Sequence, residues 1–143
     1  MDDNGLIFTL DSALALIIIF IALAAVASIT ESPLSSQIRL SHNAQDVLET
    51  MAAYKNGSEE STVLQDIASI LAANKNDQTG INEAGQVAGA YLNQTLGSAK
   101  YNFTEINQLN TTIAANADMK EANNIAVSAK SCEGYVFRLY IWD

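Results

Sequence analysis

The sequence predicts an α+β protein in which a long hydrophobic N-terminal helix precedes a small head of two helices and an antiparallel β-sheet. Three observations lead to this fold class. The stretch from Ser12 to Thr30 contains no Asp, Glu, Lys or Arg. Apolar residues then recur with the helical period as far as Leu92. From Lys100 onward, β-branched and aromatic residues alternate with short polar stretches, a pattern typical of strands.

The charge-free stretch is the dominant feature of the chain. Its 19 residues would form a helix about 28 Å long, close to the hydrocarbon thickness of a bilayer. The stretch has no polar face, which excludes an amphipathic surface helix and favours a membrane span or a helix buried among other proteins. Two alternatives stay open: a helix buried in the core of this chain, and a secretory signal cleaved near Ala25 to Ser28.

The helical pattern continues beyond this stretch. Asn56 and Gly57 provide the stop signal. We therefore expect one long helix from about Phe8 to Lys55, apolar all round in its first half and amphipathic in its second, with a kink at Pro33. The apolar residues that recur in its second half are Leu34, Ile38, Ala44, Val47, Leu48 and Met51.

Two shorter helices are predicted next. Ser58 is the expected cap of the first, with Glu59 and Glu60 in its first turn, where negative charge suits the helix dipole. Its apolar stripe consists of Val63, Leu64, Ile67, Ile70 and Leu71. After a polar loop at Asn74 to Gly80, the second helix runs to Gly97. Within it, Gly85 and Gly89 either allow close approach of a neighbouring helix or are ordinary small core residues.

Four strands complete the head. We expect strands around Tyr101, Phe103 and Glu105, at Thr111 to Ala115, around Ile125 to Lys130, and at Tyr135 to Trp142, with a turn at Glu133 and Gly134. Alternation in the last strand places Tyr135, Phe137, Leu139 and Ile141 toward the core. Arg138 then lies outside the core or at a subunit contact. The predicted organisation is a possible leader at 1–5, the long helix at 6–57 and the head at 58–143.

Composition argues against most enzyme classes and against nucleic-acid binding. Seven Lys and Arg residues against sixteen Asp and Glu give a formal charge of −9, which opposes attraction to phosphate backbones. Cys132 and His42 are the only residues of their kinds, which leaves little from which to build a metal cluster or a catalytic triad. Adjacent Glu59 and Glu60 point about 100° apart on a helix and do not form an acid/base pair. We expect no catalytic residues, no metal and no cofactor.

The N-terminal segment beginning at Gly5 resembles the N-terminus of type IV pilins and of archaeal surface fimbrins: a short leader ending in Gly, then an apolar helix with one acidic residue near its start. The resemblance implies cleavage by a prepilin-type peptidase between Gly5 and Leu6. It also implies that Asp11 pairs with a mature N-terminal amine during assembly. The family pattern has Glu at the fifth mature position and basic residues in the leader, whereas Asp11 would be sixth and the leader has no basic residue.

Four N-x-[ST] sequons occur, at Asn56, Asn93, Asn102 and Asn110. This motif is the acceptor of N-linked glycosylation in exported proteins. All four follow the charge-free stretch, so they would face the same side of a membrane. Chance alone would give about two in a chain with 13 Asn and 21 Ser and Thr in 143 residues, so the motif is a hypothesis of surface glycosylation.

Two functions follow as expectations. The first is a structural subunit of an extracellular pilus-like filament, a homopolymer formed through the N-terminal helix and serving adhesion. The resemblance implies that such a subunit is anchored in the membrane before the pilus assembly machinery incorporates it. The alternative is a monomeric, membrane-anchored surface protein whose head binds a partner.

Overall fold

The computed structural model describes residues 14–21, 33–55 and 61–143. The chain divides into two units, Met1–Ser36 and Gln37–Asp143, and each is described by itself. The helices are α1 (14–21), α2 (Pro33–Ala53), α3 (Val63–Ala73) and α4 (Gln78–Leu96), and the strands are β1 (Lys100–Glu105), β2 (Thr111–Ala115), β3 (Ala126–Cys132) and β4 (Tyr135–Trp142).

The prediction of one long apolar N-terminal helix is wrong for the residues that the structure describes. There, α1 has eight residues and a second, mostly polar helix begins at Pro33. Proline is well accommodated at the first position of a helix, where its missing N–H has no partner to lose, and costs several kcal/mol in a helix interior. Pro33 therefore starts α2 instead of kinking a longer rod. Among the described helices, none combines the length and the hydropathy that crossing a bilayer requires.

Helix α2 contributes one stripe of side chains to the core of the second unit. The buried residues are Leu40, Ala44, Val47, Leu48 and Met51, spaced by three or four residues as the sequence predicts. Ile38 was expected in this stripe, but its side chain is 54% exposed. Leu40, which is not in the predicted set, is buried instead, and the burial of Leu34 lies outside what the structure describes.

Helix α3 begins at Val63, five residues after the predicted cap at Ser58. Its N-cap is Thr62, whose hydroxyl accepts the N–H of Gln65, while the Gln65 side chain accepts the N–H of Thr62 at 2.9 Å. This reciprocal pair is a capping box, which satisfies two N–H groups of the first turn. Ser58 to Glu60 lie outside the described residues. The buried stripe is Val63, Leu64, Ile67, Ala68 and Leu71.

Helix α4 starts earlier than predicted, because the loop before it is short. Asp77 caps α4 by accepting the N–H of Gly80 at 2.9 Å. Lys75 and Asn76 both have positive φ, which turns the chain sharply between α3 and α4. The helix ends at Gly97, as predicted, where a φ of 61° suits a residue without a side chain.

The four strands form one antiparallel sheet in the order β2-β1-β4-β3. Two hairpins, β1–β2 and β3–β4, are joined by the pairing of β1 with β4, so these two strands are central. Glu133 and Gly134 both have positive φ, which is the geometry of a tight two-residue hairpin turn. The antiparallel sheet, the bounds of β2 and this turn are as predicted.

One face of the sheet packs against the helices to form the core. Tyr135, Phe137, Leu139 and Ile141 of β4 are all buried in it, which confirms the predicted inward set. Phe137 stacks on Phe103 of β1 with ring centroids 5.4 Å apart. Each buried aromatic of this size adds several kcal/mol to stability.

Helix α4 approaches the sheet closely at Gly85. A β carbon on Gly85 would lie 2.5 Å from the carbonyl oxygen of Ile113, whereas one on Gly89 would meet only the Tyr101 hydroxyl at 3.8 Å. Ile113 is the extra residue of a β-bulge, because Phe103 pairs with Ala114 and the next residue of β1 pairs with Thr112. Gly85 thus permits close approach of α4 to a strand, and not to a neighbouring helix.

We predict opposite effects for the same substitution at these two glycines. Gly85→Ala should lower the free energy of unfolding by about 1–3 kcal/mol, because the added methyl group must displace the Ile113 carbonyl. Gly89→Ala should raise it by up to about 1 kcal/mol through the higher helix propensity of alanine. Urea unfolding followed by circular dichroism measures both. Equal effects of the two variants would contradict the close contact of α4 with β2.

Candidate functional site

Helix α1 is apolar and exposed on every side. Seven large side chains, Leu14, Leu16, Ile17, Ile18, Ile19, Phe20 and Ile21, are each 51–68% exposed in the single chain. Successive residues of a helix point about 100° apart, so eight residues cover its whole circumference. The exposure is therefore not confined to one face that a groove on another protein would cover.

Such a surface is expensive to leave in water. Burying the exposed part of each Leu, Ile or Phe side chain is worth on the order of 1–2 kcal/mol. An isolated helix of this length is also marginal in water without tertiary packing. Residues 14–21 are therefore the strongest candidate in the described part of the chain for contact with something other than water.

The predicted processing and assembly residues Gly5, Leu6 and Asp11 lie outside the described residues, as does the sequon at Asn56. Asn93 is exposed on α4, and its side-chain oxygen accepts the Tyr101 hydroxyl at 3.1 Å. The other two sequons lie in the sheet region and are described next.

Asn102 is half-buried in the central strand β1, and its side-chain oxygen accepts the Thr112 hydroxyl at 3.4 Å. Asn110 is exposed immediately before β2, with a φ of 46°. Thr112 is the third residue of the Asn110 sequon, so the structure brings these two sequons together and leaves Asn93 apart from them.

The sheet surface that points away from the helices, called the open face here, is polar around Arg138 and apolar at Val127 of β3. Asn102 and Thr104 of β1 lie opposite Tyr140 and Arg138 of β4 on this face. The Arg138 guanidinium donates to the Tyr140 hydroxyl at 3.2 Å. Arg138 is thus half-buried outside the core, as predicted. A cavity of about 320 Å³ lies here, and its lining includes Thr104, Asn110, Thr112, Arg138 and Tyr140.

A larger cavity, of about 730 Å³, lies among α2, α3 and α4. Tyr54 and Tyr91 stand on it with ring centroids 6.4 Å apart, and the other lining residues are Thr, Gln, Val and Ala. No carboxylate, imidazole, thiol or amine is part of the described lining.

His42 and Cys132, the only histidine and the only cysteine of the chain, lie on different elements. His42 is exposed on α2. Cys132 is half-buried and packs against the core, and burial, together with the negative charge of Glu133, raises the pKa of its thiol. A thiol with a raised pKa is a weak nucleophile at neutral pH. Among the described residues, no three His, Cys, Asp or Glu side chains converge as metal ligands.

A buried carboxylate at the end of β1 was not predicted as a special residue. Glu105 is fully buried, and its two oxygens accept the N–H groups of Asn107, Gln108, Leu109 and Val136 at 2.6–3.2 Å. The side chain therefore folds the loop after β1 back onto itself and fixes it to the start of β4. The strand alternation does contain the signal, because Glu105 is in phase with buried Tyr101 and Phe103.

Two opposing effects act on the pKa of Glu105. Burial alone would raise it, because the charged form loses hydration. The backbone N–H donors of Leu109, Asn107, Val136 and Gln108 outweigh burial, and the pKa is lowered from the usual value of glutamate. The folded state therefore favours the ionised form of Glu105.

Polar side chains extend this fixation to the helices. Asn107 and Gln108 donate to the carbonyl oxygen of Gly134, each at 2.9 Å. Asn76, in the turn between α3 and α4, donates to Gln108 at 3.3 Å and accepts the Tyr135 hydroxyl at 2.8 Å. One end of the sheet, the loop after β1 and the α3–α4 turn are thus joined in a single hydrogen-bonded network.

Comparisons of the chain with known protein families, with curated proteins and with solved structures find no match.

We predict that Glu105→Gln lowers the free energy of unfolding at pH 7 by about 2–4 kcal/mol, because an amide NH₂ would face buried N–H donors. The folded carboxyl group takes up its proton at a lower pH than the unfolded one. Its stabilisation is therefore complete above the unfolded pKa, about 4.3, and is lost as the pH falls through the folded pKa.

The gap in stability between the parent protein and Glu105→Gln should accordingly narrow below about pH 4. Denaturant unfolding at several pH values measures it. Glu49→Gln, at an exposed position on α2, is the matched control and should stay close to the parent at every pH. A gap at Glu105 that does not change with pH would contradict the role of the ionised carboxylate.

Proposed function

We propose that this protein is a structural subunit of an extracellular filament and that copies assemble through the apolar segment that includes residues 14–21. The single observation that supports this most directly is the exposure of seven large apolar side chains around the whole of α1. Several neighbouring copies, each contributing the same segment, would surround such a helix on all sides. A binary complex would leave part of it in water.

The second unit supports the same proposal because, unlike α1, it buries its own apolar residues. Its apolar side chains from α2, α3, α4 and the sheet form one core, and they need no partner to be buried. A head that folds around its own core, together with a separate apolar segment that does not, suits a subunit that polymerises without unfolding its outward part. Adhesion by such a filament is part of the proposal.

The resemblance at the N-terminus adds the processing step to the proposal. A peptidase would cut between Gly5 and Leu6, and Asp11 would pair with a mature N-terminal amine, since an unpaired carboxylate in an apolar interior is costly. A membrane-held stage before assembly rests on the charge-free run from Ser12 to Thr30. N-terminal sequencing of filament-borne protein tests the cut: retention of Met1 would contradict it.

We predict that Ile18→Asp abolishes filaments while the head stays folded. Ile18 is 63% exposed on α1, and a charge at this position would have to be buried among apolar neighbours, at a cost of several kcal/mol. Negative-stain imaging of the full-length protein should show at least about a tenfold drop in filaments, since 1.4 kcal/mol already corresponds to a factor of ten. The melting temperature of the head should be unchanged.

Val127→Asp is the matched control, because Val127 is an apolar residue of the head, on β3, that is 48% exposed. This variant should assemble as the parent does. Filaments formed equally well by Ile18→Asp would contradict assembly through this segment. A parent protein that stays monomeric after processing would contradict the filament itself and favour the anchored, partner-binding alternative.

A further inference from the structure

The cavity on the open face has the chemical character of a saccharide site. Its described lining combines hydroxyl groups of Thr104, Thr112 and Tyr140 with the Arg138 guanidinium and the Asn110 amide. These groups donate and accept hydrogen bonds, while the Tyr140 ring offers an apolar surface beside them. A sugar ring presents the same combination of hydroxyl groups and C–H faces. The volume of about 320 Å³ is at the small end of the range for ligand sites.

Asn110 is the sequon asparagine that lines this cavity. A glycan on Asn110 would therefore be a ligand covalently attached beside the cavity. Any sugar attached to the Asn110 side chain starts at the cavity wall. A free ligand would have to be captured from solution, whereas an attached sugar is held there at a high effective concentration.

The three described sequons differ in whether a transferase can reach both the asparagine amide and the hydroxyl two residues later. On α4, Asn93 and Thr95 point about 200° apart, so one enzyme surface does not contact both. Asn102 and Thr104 share a face, but β1 is paired on both sides and Asn102 is half-buried. Asn110 is exposed in a loop, and Thr112, the hydroxyl residue of its sequon, is exposed as well, with its hydroxyl donating to Asn102.

We propose that Asn110 is N-glycosylated, that Asn93 and Asn102 are not, and that the first sugars of the Asn110 glycan lie in the cavity against Tyr140 and Arg138. The donor is a sugar chain activated as a phosphate or diphosphate ester. The Asn110 amide nitrogen forms a bond to the anomeric carbon, the bond from that carbon to the phosphate oxygen breaks, the phosphate leaves, and a base of the transferase takes the amide proton. The inference rests on the proposed function for placing the head outside the cell.

Glycopeptide mapping of the full-length protein from its native cells tests the acceptor. We expect the Asn110 peptide to have an added sugar mass and the Asn93 and Asn102 peptides to have their unmodified masses. An unmodified Asn110 peptide, or a sugar at Asn102 or Asn93, would overturn the assignment. Asn102→Gln is the control variant and should leave the mass of the glycan on the protein unchanged.

A double-variant comparison tests whether the sugars lie in the cavity. Asn110→Gln should lower the melting temperature of the glycosylated protein by about 2–4 °C, and this loss should shrink when Tyr140→Ala has already removed the aromatic wall. The same variants made in cells without N-glycosylation measure the effect of the substitutions alone. An equal loss from Asn110→Gln with and without Tyr140 would overturn the placement of the sugars.

The two proposals fail in distinguishable ways. Filaments built from subunits unmodified at Asn110 would overturn the glycosylation proposal and leave the filament proposal intact. A monomeric protein with a sugar at Asn110 would overturn the filament proposal and leave the glycosylation proposal intact.

Discussion

The carboxylate of Glu105 is the interaction on which the organisation of the head depends. It lies at the end of β1, between the edge strand β2 and the other central strand β4. Its four backbone donors come from the loop after β1 and from β4. A buried carboxylate loses its hydration, and hydrogen-bond donors or a positive charge must offset that free-energy cost. Here backbone N–H groups supply all of the donors, so the loop has to adopt one conformation for the strand to stay in register.

The rest of the sheet end follows from that conformation. With the loop held in place, Asn107 and Gln108 reach the Gly134 turn, and Asn76 brings the α3–α4 turn to the same point. Polar networks of this kind specify one arrangement of the elements around them, because a partly satisfied network is costly. Among the described residues, no buried side-chain nitrogen or oxygen lacks a partner.

The elements that were predicted correctly are those fixed by local patterns. Alternation alone placed Phe137 and Leu139 in the core, and turn chemistry placed Glu133 and Gly134 between strands. Ser58 was the wrong cap although the right one was readable: Thr62 has Gln65 three residues later, the capping-box spacing, whereas Ser58 has Ser61 there.

The elements that were missed depend on contacts between distant parts of the chain. The partners of Glu105 lie up to 31 residues away, and the close approach at Gly85 depends on a bulge in β2 that no local pattern announces. The prediction of one long helix is wrong because apolar residues recur with helical spacing on both sides of Pro33, and this spacing does not show where one helix ends and the next begins. For the candidate site, the sequence indicated the apolar stretch and the sequons, but the neighbours of Asn110 follow only from strand register.

The edge strands β2 and β3 have features that hinder strand pairing between heads that lie close together. An unpaired strand edge is a template for pairing with another chain. Here β2 has only five residues and is interrupted by the bulge at Ile113, while β3 exposes Lys130. Short, bulged and charged edges discourage sheet extension from one molecule to the next. In a polymer of the kind proposed, contacts between the apolar segments would therefore hold the subunits together. Neighbouring heads would not pair their sheets edge to edge, as amyloid strands do.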